Sequence, residues 1–262
     1  MKDTYVDEME ICSEFEEGIE KQEFQVFYQP VVDAKTGKIV SAEALVRWFH
    51  EQKGFISPGQ FIPALEKGGY ISELDRYMIE KVTGCLDQRR AEKKRFVPVS
   101  VNLSWMDFYD ENMLEWIVRG LKKNNPNEQK IRFEITETSL AAIGENHTRM
   151  LMHLKENGAE ILLDDFGSGY SSFGMLQDYD FDILKMDISF VRNIGVNKKS
   201  ESILRAIIDM AHQLEIRLVA EGAETEEQVA FLRANGCDYI QGYYYYKPMP
   251  EAEFLQLLEE GK

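Results

Sequence analysis

Eight short apolar runs, most of them followed by a stretch of helical periodicity, are the feature of this sequence that most constrains its fold. Alternating strand and helix patterns favour a parallel sheet covered by helices, and eight strands can close such a sheet into a (β/α)8 barrel. The expected strands are FQVFYQPVV (24–32), IVSAEALVRW (39–48), VPVSVNLS (97–104), IRFEIT (131–136), EILLDD (160–165), FDILKMD (181–187), IRLVAEG (216–222) and DYIQGY (238–243).

The connection between the first two runs departs from this pattern. It consists only of DAKTGK, which is too short for the crossover helix that parallel neighbours need. We therefore expect an antiparallel hairpin here, and so a modified TIM barrel with one reversed strand. A lead-in of about residues 1–22 should contain a helix from residue 7 that packs against the barrel, and residues 71–92 should form a further long helix.

Length and charge limit the domain organisation and the ligands. With 262 residues and no stretch of eighteen apolar residues, the sequence fits one α/β domain over residues 1–262 that does not insert into a membrane. Its acidic start lacks the basic and apolar parts of a secretory signal, so we expect a cytoplasmic protein. The formal net charge of −16 argues against binding of polymeric nucleic acid, which needs clustered Lys and Arg. A small anionic ligand can still bind if metal ions stand between it and the carboxylates.

Polar side chains interrupt or end every expected strand after the first, where a buried strand should be almost continuous Val, Ile and Leu. Most of them stand in the last residues of their runs, at the barrel face that forms active sites. One Asp or Glu at a strand end is more often a solvated loop residue or a helix cap, but several converging carboxylates repel one another unless cations neutralise them. The set comprises Glu43, Asn102, Glu134, Asp164, Asp165, Lys185, Asp187, Glu221 and Gln241.

Two adjacent aspartates, Asp164 and Asp165, are the most informative pair. Consecutive strand residues point to opposite faces, so both can serve one site only if the chain turns there, which Gly167 and Gly169 permit. One carboxylate could then bridge two metal ions, as a two-metal phosphodiester hydrolase requires. Oxygen donors without thiolate or imidazole partners favour Mg²⁺ or Mn²⁺. The glycine-rich loop could instead be an ordinary tight turn or a phosphate cradle.

Eight motifs in this sequence resemble, in order, those of the EAL-domain family of cyclic di-GMP phosphodiesterases, and they cover nearly the whole chain. They are YQPVV (28–32), EALVRW (43–48), VNLS (101–104), EITE (134–137), DDFGSGYSS (164–172), KMD (185–187), AEGAE (220–224) and QGYYYYKPMP (241–250). The resemblance implies a bacterial second-messenger enzyme that hydrolyses cyclic di-GMP to linear pGpG with two Mg²⁺ or Mn²⁺ ions per active site.

The resemblance also implies residue roles by position. Lys185 and Gln241 would orient the attacking water, with Lys185 the more direct participant in proton transfer. Glu137 would anchor the loop over residues 166–172. The ligands would be Glu43, Asn102, Glu134 and Asp164 for the first metal and Asp164, Asp165 and Glu221 for the second. The remaining roles would be a phosphate contact for Arg47, a place near a guanine for Gln29 and a place on the second-metal side, towards the substrate, for Asp187.

Other functions are compatible with parts of this pattern. The family contains catalytically silent cyclic di-GMP receptors, but such members typically lose metal ligands or the loop after the aspartate pair, and this chain keeps both. The fold alone also permits a barrel metalloenzyme that acts on a carboxylate or a sugar phosphate. The resemblance further allows a homodimer, and an excised domain whose full protein carries sensory or GGDEF domains. We expect the aromatic run over residues 243–246 to pack against the barrel rather than to stack bases.

Overall fold

The computed structural model describes residues 6–123, 131–143, 148–168 and 172–261, and its centre is a closed barrel. Each expected apolar run forms a strand, and two short strands are added outside the barrel. The strands are β1 (Phe24–Asp33), β2 (Ile39–His50), β3 (Gly54–Ile56), β4 (Val99–Asn102), β5 (Ile131–Thr136), β6 (Glu160–Phe166), β7 (Ile183–Met186), β8 (Arg217–Glu221), β9 (Tyr239–Gln241) and β10 (Met249–Pro250).

Strand β1 closes the barrel in the reverse direction. It pairs antiparallel with both β2 and β9, while β2, β4, β5, β6, β7, β8 and β9 run parallel in that order. The short connection explains the reversal: the Asp33 carboxylate accepts hydrogen bonds of 2.7 Å from the backbone nitrogen and from the hydroxyl of Thr36, which holds a tight turn. The expected modified TIM barrel is confirmed.

Helices cover the outside of the barrel. The helix expected in the lead-in runs from Glu8 to Glu20 and is capped by Asp7, while residues 1–5 lie outside the described part. The described helices are α1 (Glu8–Glu20), α2 (Pro58–Gly68), α3 (Ile71–Ala91), α4 (Glu111–Lys123), α5 (Glu137–Ile143), α6 (Thr148–Glu156), α7 (Ser172–Asp178), α8 (Ile188–Arg192), α9 (Lys198–Gln213), α10 (Glu226–Ala234) and α11 (Glu251–Glu259), with a 3₁₀ turn at Trp105–Tyr109. None of them is long and apolar enough to cross a membrane.

Helix α1 joins the barrel through a separate aromatic core. The rings of Phe24 and Trp48 stack with centroids 4.6 Å apart, and Phe15 of α1 meets Phe24 edge-on at 5.6 Å. The Trp48 Nε1 group donates to Glu23 Oε2 at 2.9 Å, so its polar atom is satisfied inside this core. The reversed hairpin is thereby fixed from outside, which leaves the barrel interior to the polar site.

Candidate active site at the barrel mouth

The site lies on an apolar floor inside the barrel. Val31, Leu162, Ile183 and Val219 form a buried cluster there. Alternate residues of a strand share one face, so the residues two positions further towards the mouth also point inward. On these four strands they are Gln29, Asp164, Lys185 and Glu221. The inward-facing residues of these four strands therefore form an apolar layer, and the next inward-facing residues towards the mouth form a polar layer.

Lys185 stands at the centre of this layer. Its Nζ lies 2.7 Å from Glu134 Oε2 and from Glu221 Oε1, 3.1 Å from Asp164 Oδ1 and 3.2 Å from Glu43 Oε2. Burial alone would lower the pKa of this lysine, but the four carboxylates outweigh burial and hold its pKa well above the ordinary value. Four of the acidic side chains that the sequence analysis selected at strand ends therefore surround one ammonium group.

The carboxylates of this layer are under electrostatic stress. Burial raises the pKa of Glu134 well above its ordinary value, and the nearby Glu43 adds to the effect. Burial also raises the pKa of Glu221, to about 8, although Lys185 opposes the shift. Glu134 Oε1 is buried and finds no hydrogen-bond partner among the described residues. The single positive charge of Lys185 is thus smaller than the negative charge that these four carboxylates can carry, and Glu134 Oε1 can still accept a further ligand.

The aspartate pair faces the site through a backbone turn. Asp165 adopts a φ of +55°, which is uncommon for a residue with a side chain, and the pairing of β6 with β7 shifts register here. Asp164, Asp165 and Glu221 each offer an oxygen within 4.8 Å of the others. The expected turn is present, but it falls at Asp165 before Gly167, which also has positive φ. Gly169 lies outside the described residues.

Two amide side chains complete the inner layer. Gln241 Nε2 donates to Glu43 Oε2 at 2.6 Å and to Gln29 Oε1 at 3.2 Å. Gln29 Nε2 donates in turn to the backbone oxygen of Tyr246 at 3.2 Å. Gln29 is buried, and its two contacts connect Gln241 to the backbone of the aromatic run.

The remaining expected residues lie around this centre. Glu137 is buried at the start of α5, and its Oε2 accepts from the Gly167 backbone at 3.3 Å, so it contacts the described start of the 166–172 loop, of which residues 169–171 lie outside the described part. Asp187 caps α8 by accepting from the Ser189 backbone at 2.9 Å. Asn102 is exposed at the end of β4, paired in register with Glu134.

A cavity of about 200 Å³ opens beside the polar layer. Arg47 and Asn102 line it together with apolar residues such as Ile62 and Met78. The Arg47 guanidinium is half-buried, and burial lowers its pKa. Arg47 therefore borders the space that a ligand would occupy, within electrostatic reach of Glu43.

Sequence reasoning missed two acidic residues of this cavity, Glu66 and Asp75. Asp75 is buried in its wall, where it accepts from the Ser104 backbone at 3.1 Å, and burial together with Asp107 raises its pKa well above the ordinary value. The sequence does carry one indication that Asp75 is buried, because it lies beside Leu74 and Met78 in the apolar stripe of α3.

The expected packing of the aromatic run is wrong for half of it. Tyr243 and Tyr244 are 54% and 42% exposed, whereas Tyr245 and Tyr246 pack against the core. The physical reason is a tight turn, in which the backbone nitrogens of Tyr245 and Tyr246 both donate to the Gly242 oxygen, so the run cannot present all four rings to the barrel.

The residues present fit hard divalent ions. The converging donors are carboxylate oxygens, three of them lie within 4.8 Å of one another, and Glu134 Oε1 is an orphaned acceptor. Buried carboxylates of this number are normally neutralised by cations. The arrangement can therefore hold a cation close to a polar layer that donates hydrogen bonds from Lys185 and Gln241.

Comparison with known proteins adds independent findings. The family model described as EAL domain matches residues 13–248. The cyclic di-GMP phosphodiesterase NbdA of Pseudomonas aeruginosa is 31% identical over 96% of this chain and 32% of that protein. The probable cyclic di-GMP phosphodiesterase PdeG of Escherichia coli is 32% identical over 92% of this chain and 47% of that protein.

The solved structures agree with the fold. The phosphodiesterase PaMucR in complex with c-di-GMP superposes with a TM-score of 0.84 at 30% identity, and the match covers 93% of this chain and 99% of that chain. The curated relatives are longer: this chain spans less than half of the length of NbdA and of PdeG.

Proposed function

The chain belongs to the EAL-domain family, and from this membership we propose that it is a metal-dependent phosphodiesterase that hydrolyses cyclic di-GMP to linear pGpG. The observation that carries the proposal is the convergence of Glu43, Glu134, Asp164 and Glu221 on one cation position at the barrel mouth. The names of the relatives NbdA and PdeG support the choice of substrate.

The proposed metal positions share Asp164. The first would be held by Glu43, Asn102, Glu134 and Asp164, and the second by Asp164, Asp165 and Glu221. The oxygen donor set suits Mg²⁺ or Mn²⁺. When bound, the two ions would supply positive charge to the phosphodiester and lower the pKa of the attacking water.

The chain's own donors would orient that water. Lys185 Nζ and Gln241 Nε2 are both buried hydrogen-bond donors, and both contact Glu43 Oε2, at 3.2 and 2.6 Å. Both donors therefore lie beside a proposed ligand of the first metal, where an attacking water would need to be oriented. We assign Gln29 a positioning role, because it accepts from Gln241 and holds that amide in place.

The cavity beside the site would receive the rest of the substrate. Its apolar walls suit the face of a nucleobase, and Arg47 on its border would contact a phosphate oxygen. Glu137 would keep the loop that begins at Gly167 close to the aspartate pair. Asp187 would act mainly through α8, because its carboxylate caps that helix.

Organisation beyond the barrel stays a prediction. We propose that residues 1–262 act as one domain, and the longer curated relatives support a place in a larger signalling protein with sensory or GGDEF domains. A homodimer and a cytoplasmic location are further predictions from the family and from the sequence.

The test of this function is direct. Purified protein is incubated with cyclic di-GMP and Mg²⁺ or Mn²⁺, and pGpG is followed by chromatography. The expected result is metal-dependent conversion that EDTA abolishes. Tight cyclic di-GMP binding without product would contradict the enzyme and support a catalytically silent receptor.

A further inference from the structure

The ammonium group of Lys185 occupies the point on which four strand ends converge. Its Nζ lies within 3.2 Å of oxygens from Glu43, Glu134, Asp164 and Glu221, and the side chain is 2% exposed. In the described part of the chain, these four carboxylates form ion pairs within 4.0 Å with no other Lys, Arg or His. Lys185 is therefore the cation that holds the site together when metal is absent.

Lys185 alone cannot neutralise the carboxylates around it. An ammonium group has three protons and one charge, whereas four carboxylates face it. Buried carboxylates need compensating charge and complete hydrogen bonding to be stable. The metal-free site is thus stabilised by Lys185 and still attracts further cations.

We propose that Lys185 is an internal counter-ion that competes with divalent ions for the same carboxylate oxygens, so that metal loading removes its ammonium group from this four-carboxylate seat. The inference rests on the proposed function, because all four carboxylates are proposed ligands. An oxygen directed at the ammonium group at 2.7 Å cannot turn the same lone pair to an ion at about 2.1 Å.

The competition gives Lys185 different roles in the two states. In the metal-free protein it neutralises part of the charge of four strand ends and keeps them converged. In the loaded protein it is freed for the proposed orientation of water. The neutralising role in the metal-free protein does not depend on substrate, so it can be measured through metal affinity and Tm without following turnover.

The experiment compares Lys185→Met with Lys155→Met. Methionine keeps an unbranched side chain without the charge. Lys155 is the matched control, because it pairs with Asp180 at 2.8 Å and Asp182 at 3.3 Å, outside the four-carboxylate seat. Calorimetric titration of EDTA-treated protein with Mn²⁺, and then with Mg²⁺, gives the metal affinity in the absence of cyclic di-GMP.

Lys185→Met is expected to bind Mn²⁺ at least about tenfold more tightly than wild type, because the internal competitor is gone. Its metal-free Tm should fall by about 5 °C or more, and the rise in Tm on adding Mn²⁺ should exceed that of wild type. Lys155→Met should keep the wild-type metal affinity. An unchanged or weaker affinity of Lys185→Met overturns the proposal, and so does a wild-type protein that binds neither ion.

A second measurement covers a Lys185→Met protein that fails to fold without metal. Proton–nitrogen spectra of wild-type lysine ammonium groups should show a slowly exchanging signal from the buried Lys185, and Mg²⁺ should remove or shift it. A signal that persists unchanged at saturating Mg²⁺ overturns the proposal.

The two proposals can fail separately. Tighter metal binding by Lys185→Met with no pGpG from wild type would defeat the proposed hydrolysis and keep the counter-ion. Formation of pGpG by wild type with unchanged metal affinity in Lys185→Met would do the reverse.

Discussion

Gly222 directly follows the proposed ligand Glu221, and its replacement by alanine is a sharp test of the packing at the barrel mouth. Its φ is +71°, in the left-handed region that side chains disfavour. An added Cβ would lie 2.1 Å from Ile188 Cγ1 and 3.0 Å from Ile188 Cβ. Gly222→Ala therefore combines backbone strain with a collision against the first residue of α8.

The magnitude follows from these two contributions. The left-handed conformation costs a non-glycine residue roughly 1–2 kcal/mol, and forcing an extra carbon into a packed site costs typically about 1–3 kcal/mol. We expect Gly222→Ala to lower the free energy of unfolding by about 2–5 kcal/mol.

Urea denaturation of EDTA-treated protein measures this loss, and two variants separate its causes. Gly69→Ala is the matched control for strain alone, because Gly69 has φ +80° and open space around its Cβ position. The double variant Gly222→Ala/Ile188→Ala removes the closest colliding atoms, so it should be less destabilised than the sum of its parts by about 1–3 kcal/mol. Equal losses for Gly222→Ala and Gly69→Ala, with an additive double variant, would refute the close packing of α8.

Three further outcomes are expected. Glu43→Ala should lower the turnover of cyclic di-GMP by more than about a hundredfold with an unchanged circular dichroism spectrum, because a direct ligand should matter more than an outer partner; near-normal turnover would remove Glu43 from the site. Glu137→Gln should lower turnover about tenfold to a hundredfold, since it weakens a charged acceptor of the Gly167 backbone, and an unchanged rate together with unchanged metal affinity would defeat the anchoring role. In the metal-free protein, burial raises the pKa of Glu221 to about 8 from an ordinary 4.5, so the folded state retains a proton that the unfolded state releases. Tm measured in EDTA should therefore fall as pH rises from about 5 to 8, by at most about 1.4 kcal/mol of stability per pH unit for this group, and a rise over that range would contradict the shift.

The barrel could be predicted from the sequence because the patterns that indicate its strands and its reversed hairpin are local. Short apolar runs that alternate with helical stretches mark the strands, and the length of DAKTGK alone excludes a parallel first pair. The polar residues at strand ends were accessible for the same reason, since the architecture gathers those ends at one face. The distances bring four of these side chains to Lys185, a meeting point that the sequence did not predict, and the roles of the set in binding metal and substrate stay predictions.

The features that sequence reasoning missed depend on tertiary contacts. Asp75 looks like an ordinary helix residue until α3 is packed over the cavity, where its carboxylate becomes buried. The left-handed turn at Asp165 has no local signal, because the neighbouring glycines are the residues that normally adopt it. Tyr243 and Tyr244 face outward because a tight turn at Gly242 divides the aromatic run.

The short helix α8 explains why the strand ends carrying the acidic site are held in one arrangement. It begins directly after Asp187, which caps it, and it follows the strand that carries Lys185. Added Cβ atoms at Gly222 and at Gly167 would lie 2.1 Å from Ile188 and 2.5 Å from Phe190, so the backbones after β8 and β6 both approach this one helix closely. Since these loops directly follow the carboxylates of β8 and β6, the separation of the acidic groups is set by packing outside the polar layer as well as by the barrel. Packing against α8 opposes the mutual repulsion of the buried carboxylates. In the metal-free protein this repulsion would otherwise push the ends of β6 and β8 apart.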